Sequence, residues 1–169
     1  MLSERELAFI AIHKDNYPSV YKFVRRRVES ADLAEEIAAD VFRVVWQKWA
    51  DSSHKDLPYL LTVARNLVGN AYRSRDRRQA LLDKLRTAVV QRFGDASENV
   101  AVQDAMMRLR EQDRDVLQLA YWDGLGTADI ARVLQCSESA ARVRLHRARA
   151  AFRKQVPAGA EATTHKMGV

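Results

Sequence analysis

The chain has 169 residues, 47% of them hydrophobic and 30% charged, with 28 Lys and Arg against 22 Asp and Glu. That length supports one ordinary domain or two small ones. No apolar run approaches the roughly 18 residues a membrane-spanning helix requires, so membrane insertion is excluded from the expectation. A net charge of +6 favours a polyanionic partner, and a lone Cys136 rules out an internal disulfide or a thiolate zinc site. With no signal-peptide core at the N-terminus, the expected location is the cytoplasm.

Helical periodicity runs through nearly the whole chain, and no segment alternates apolar and polar residues with β-branched content. The expected fold class is all-α. Ser3 followed by Glu6 forms a capping-box pattern that opens a first helix to about Asn16, and a second covers Val20 to Glu29. Asp32 is the expected cap of a third, LAEEIAADVFRVVWQKW, which the polar interval ADSSHKD ends. Pro58 in the first turn of LPYLLTVARNLVGNAYRSRDRR starts a long fourth helix. GDASEN, from Gly94 to Asn99, reads as a linker. VAVQDAMMRL, QDRDVLQLAYW ended by Gly124, TADIARVL and a final helix follow, and AGAEATTHKMGV after Pro157 reads as a disordered tail. The expected organisation is two small helical domains, 1–80 and 99–156, with a linker at 81–98 and a tail at 157–169.

Thr127 is placed to cap TADIARVL and Ser137 to cap the last helix, with Gln135-Cys136-Ser137 as the turn between them. Two short helices joined this tightly form a helix-turn-helix pattern, whose second helix enters the DNA major groove. On that helix Ala141, Leu145, Ala148 and Phe152 make one apolar stripe. Arg142, His146, Arg149 and Arg153 repeat the spacing about 100° away, and Val143 and Arg147 lie farther round. Arginines near the front of such a helix can read guanine edges and later ones suit phosphates; a solvated basic helix without a ligand is the other reading.

In the fourth helix Asn66, Asn70, Arg73 and Arg77 share a face by spacings of four, three and four. Amides suit base edges and guanidiniums the adjoining phosphates. Tyr59 and Tyr72 are either stacking platforms for unpaired bases or core aromatics. The third helix is acidic instead. Glu29, Asp32, Glu35, Glu36 and Asp40 crowd a stretch free of Lys and Arg, a pattern that would repel DNA and suits a basic protein surface. Acids near a helix N-terminus are favourable in any case, and Phe42, Trp46 and Trp49 read as a core stripe. The histidines are scattered, and no phosphate-binding loop or metal-ligand spacing is present, so neither an enzyme nor a cofactor is expected.

The order AEEIAADVFRVVWQKW, PYLLTVARNLVGNAYRSRDRR and RLHRARAAFRK resembles the extracytoplasmic-function (ECF) group of bacterial sigma factors, from about Asn16 to Lys154. That resemblance implies an N-terminal domain on the RNA polymerase clamp that opens the promoter at its −10 element. It implies a C-terminal domain on the −35 duplex and the polymerase flap. Carried over, Asp32, Glu35, Glu36, Asp40 and Phe42 match the clamp-docking segment. Asn66 and Asn70 match positions at the melted −10 strand, with Tyr59, Arg73 and Arg77 beside them, and loop Asp51–Asp56 matches the one that receives a flipped base. Arg142, Val143, His146 and Arg147 match the base-facing positions of the recognition helix, with Arg144 and Arg149 toward phosphates. An inhibitory partner, an anti-sigma factor, is a further implied possibility. The sequence departs from the family pattern at Ala39 for glutamine, Tyr59 for tryptophan, Gln135 for glycine and Ala140-Ala141 for Thr-Val.

Overall fold

The structure, a computed structural model, describes residues 1–51, 55–82 and 100–156. Among the described residues there are seven α-helices and no strand. Contacts divide the chain into two compact units, Met1–Arg92 and Phe93–Val169. Most of the expected linker, residues 83–98, lies outside the described residues, as do 52–54 of the loop and the whole tail 157–169.

In the first unit α1 (Glu4–Arg25), α2 (Ala31–Gln47) and α3 (Leu57–Leu82) each pack on the other two. The capping box at the start of α1 is complete: the Glu6 amide donates to Ser3 Oγ at 3.3 Å, and Glu6 Oε2 accepts from the Ser3 amide at 2.7 Å and hydroxyl at 2.8 Å. Those two donors, the amide first, hold the Glu6 carboxyl below its ordinary range. The core is built from Val20, Phe23 and Val24 of α1, Ile37, Val41 and Val45 of α2, and Leu60, Leu61 and Ala64 of α3.

The first unit departs from the sequence expectation at two places. The first and second predicted helices are one, because α1 runs through Pro18 without a break. An internal proline orphans the carbonyl four residues earlier, but Lys14 and Pro18 are both exposed, so water can satisfy that group. Downstream, the buried Val20, Phe23 and Val24 hold the chain in helical register against α2 and α3. The cap of α2 is Ser30 and not Asp32: Ser30 Oγ accepts from the Leu33 amide at 3.1 Å, which leaves Asp32 in the first turn. Asp56 opens α3, its Oδ1 accepting from the Tyr59 amide at 3.3 Å.

The second unit contains α4 (Val100–Met107), α5 (Glu111–Tyr121), α6 (Thr127–Leu134) and α7 (Glu138–Gln155). At eight residues each, α4 and α6 are shorter than the roughly 12–15 at which an isolated helix is even marginal. They persist because Met106, Ile130 and Val133 are buried beside Val116, Leu117 and Leu119 of α5 and the apolar stripe of α7. Gly124, at φ +70, reverses the chain after α5, where the Leu125 amide returns to the Leu119 carbonyl at 3.0 Å.

Candidate nucleic-acid interface

The turn between α6 and α7 fixes how the last helix is presented. Gln135 is left-handed, at φ 54 and ψ 48, and it ends α6 with two return bonds: its own amide to Arg132 at 3.3 Å and that of Cys136 to Ala131 at 3.0 Å. This is the Schellman arrangement, which normally takes glycine at the left-handed position. Ser137 then caps α7, its Oγ accepting from the Ala140 amide at 3.1 Å. Thr127 does not cap α6. Gly126 occupies that position without a side-chain bond, and Thr127 Oγ1 donates instead to Glu138 Oε1 at 3.2 Å, tying the first residue of α6 to the first of α7.

Ala141, Leu145, Ala148 and Phe152 are all buried, as their spacing predicts. That packing turns Arg142, Val143, Arg144, His146, Arg147 and Arg153 to solvent. At 1.5 Å per residue the span from Arg142 to Arg153 is about 16 Å, and a major groove roughly 12 Å wide admits a helix of this kind. Val143 is 47% exposed, an apolar side chain left outside the core on the same surface as the arginines. Arg149 behaves differently. It is half-buried, and its Nε donates to the Tyr121 hydroxyl at 2.6 Å, anchoring α7 to the end of α5. Tyr121 was not singled out from sequence, since the two residues are 28 positions apart.

On α3, Asn66, Asn70, Arg73 and Arg77 are all exposed, so the spacing does make one polar face. Arg73 Nη2 donates to Asn70 Oδ1, which joins an amide and a guanidinium into one unit of that face. Tyr59 is half-buried at the other end of the helix. Tyr72 belongs to the packing: its hydroxyl donates to the Arg27 carbonyl, bracing α3 against the end of α1.

The acidic residues of α2 divide by exposure. Asp32, Glu35 and Glu36 are exposed, whereas Asp40 is half-buried and pairs with Arg43 at 3.0 Å. Phe42, grouped with them as a docking residue, is 3% exposed and sits among Phe9, His13 and Tyr17 of α1, with ring centroids 6.4, 4.5 and 6.1 Å away. It holds α2 to α1 from inside and offers no surface of its own. Sequence reasoning also missed Arg5, which donates to the Trp46 carbonyl at 2.7 Å and lies 3.8 Å over the Trp46 ring, and Lys55, 4.5 Å from the Trp49 ring. The capping box locates Arg5 on α1, but only the packing of α1 on α2 brings it to Trp46. Among the described residues, no group of three or more His, Cys, Asp or Glu side chains could hold a metal ion, and no helix is long and apolar enough to cross a membrane.

Comparison with known protein families places these faces in two recognised segments. Sigma-70 region 2 matches residues 12–78, and Sigma-70 region 4 matches residues 99–152. The chain belongs to the sigma-70 family. Within this family its curated relatives include the ECF RNA polymerase sigma factor BldN of Streptomyces coelicolor, 27% identical over an alignment of 151 residues, with 83% of this chain and 57% of BldN covered. The ECF sigma factor SigL of Mycobacterium tuberculosis is 26% identical over 151 residues, covering 85% of each chain. These matches put the chain in the ECF group.

Solved structures with the same fold include the sigma factor RpoE from Bartonella quintana, co-crystallised with the anti-sigma factor NepR. It is 20% identical, with a TM-score of 0.71 over 88% of this chain and 96% of that one. CnrH, solved with the cytosolic domain of CnrY, is 18% identical with a TM-score of 0.63, covering 87% of this chain and 86% of CnrH. In sigma-70 terms, region 2 of this ECF factor carries both the Asn/Arg face of α3 and the acidic face of α2, and region 4 carries the basic helix α7.

Proposed function

We propose that this chain is a sigma factor that joins core RNA polymerase, directs it to promoters and helps open them, acting as a non-catalytic subunit in the cytoplasm. One observation carries the reading: a polar Asn/Arg face and an acidic face occur together in the unit that lacks the helix-turn-helix. A protein that only gripped duplex DNA would need neither.

In this reading Arg142, Val143, His146 and Arg147 face the bases of the −35 duplex, and Arg144 and Arg149 take phosphates, Arg149 from its anchored position on Tyr121. Asn66 and Asn70 take the edges of separated −10 bases while Arg73 and Arg77 hold the strand, and Tyr59 offers a ring to stack on. Extruding a base costs a few kcal/mol of stacking, which such contacts must offset. Asp32, Glu35, Glu36 and Asp40 dock on a basic surface of the polymerase clamp, with Phe42 keeping that helix in place, and the region 4 unit also meets the flap. The complex of RpoE with the anti-sigma factor NepR supports the further reading that an inhibitory protein holds this chain away from polymerase.

The test is run-off transcription with purified core polymerase and a pool of genomic fragments, with and without the protein. Discrete start sites that appear only with the protein are expected. Glu35→Arg, at an exposed position, should reduce them by weakening binding to core while leaving the thermal transition unchanged. Absence of start sites, together with a shift of duplex DNA by the protein alone, would instead identify a stand-alone helix-turn-helix regulator.

A further inference from the structure

Among the residues of α7 there is one carboxylate, Glu138, and it stands on the helix meant to meet a polyanion. Its Oε1 accepts from Arg142 Nη2 at 2.8 Å and from Thr127 Oγ1 at 3.2 Å. The position is fixed from behind by the left-handed Gln135 and the Ser137 cap, and a negative charge in the first turn of a helix is electrostatically favoured. Local stability alone does not account for it. An exposed pair four residues apart on a helix contributes little to stability, and facing DNA the carboxylate is repelled by phosphates.

The geometry does account for it. Arg142 is exposed, and a guanidinium on a long stem near a phosphate row settles on phosphate, a contact that carries no sequence information. A carboxylate one turn earlier, itself held by Thr127, takes the Nη2 edge of that guanidinium and opposes its approach to phosphate. As water leaves the interface the pair strengthens, because the local dielectric falls. We propose that Glu138 is a specificity-determining positioning residue: it keeps Arg142 on a base edge at the expense of overall affinity, and Thr127 keeps Glu138 in place. This rests on the reading of α7 as the helix that meets duplex DNA.

The experiment uses polymerase holoenzyme formed with the full chain and promoter fragments randomised across the upstream element, with bound fragments sequenced. Arg142→Ala first identifies the base position that Arg142 reads. Glu138→Ala is then expected to lower preference at that position by at least about threefold, part of the roughly 5–150-fold a bidentate base contact is worth. Total retention should be equal or higher, and other positions should stay within about twofold of the wild type. In the Arg142→Ala background the same substitution should change nothing. Thr127→Val should move preference in the same direction by less, and Glu138→Gln, which keeps an acceptor without the charge, serves if the alanine variant folds poorly. Unchanged preference in Glu138→Ala, or a loss that persists without Arg142, would overturn the proposal. Arg142→Ala without effect at any position, while the holoenzyme still selects fragments, would overturn it through the reading of α7 itself.

Discussion

Gln135 is the only non-glycine residue with positive φ among the described residues, and replacing it with glycine should stabilise the region 4 unit. The left-handed conformation costs a residue with a β-carbon about 1–2 kcal/mol. Glycine removes that cost, but it enlarges the conformational freedom of the unfolded chain by about 0.4–1 kcal/mol. The Gln135 side chain is exposed and takes no part in the Schellman bonds, which are made by main-chain amides and would survive the change. The net gain is then about 0.5–1 kcal/mol, or a rise of roughly 2–8 °C in the melting temperature of a unit this size. Differential scanning calorimetry of the full chain reads it, with Gln135→Ala as the control because alanine keeps the β-carbon. An equal rise in both variants, or a fall in Gln135→Gly, would refute the attribution to backbone strain and would mean that the glutamine side chain matters.

Phe42→Ala should cost about 3–5 kcal/mol in a denaturant titration, since it empties a buried position in the aromatic cluster; normal stability with lost polymerase affinity would return Phe42 to the docking surface. Because the Glu6 carboxyl is held below its ordinary range in the folded chain, its capping contribution is present above that range and is lost as pH falls through the folded value. Helicity of α1 should therefore decline on acidification in the wild type and follow a flatter profile in Glu6→Gln, measured by amide hydrogen exchange at residues 4–8. Identical profiles in the two proteins would show that the capping box carries no linkage.

What the sequence alone determined is what depends on neighbours three and four residues away. The stripe Ala141, Leu145, Ala148 and Phe152, the Asn66–Arg77 face, and the caps at Ser3 and Ser137 could all be placed, because helix geometry fixes those relations before any tertiary contact forms. Even the strain at Gln135 was legible as a missing glycine. Where a local signal opposed the packing, the local reading failed. Local signals predict an end to the first helix near Asn16, yet the buried residues beyond Pro18 continue it, and Thr127 has the sequence position of a cap but bonds Glu138 of α7 instead.

Tertiary structure alone decided which polar and aromatic side chains are held by distant residues. Arg149 shares a row with Arg142 by spacing and is held by Tyr121, Phe42 lies in the same segment as exposed acids and is buried, and Arg5 meets Trp46 across 41 positions of sequence. Periodicity gives the angle at which a side chain leaves its helix. Whether that direction holds solvent, DNA or another helix depends on how the elements pack, and only the assembled units specify it.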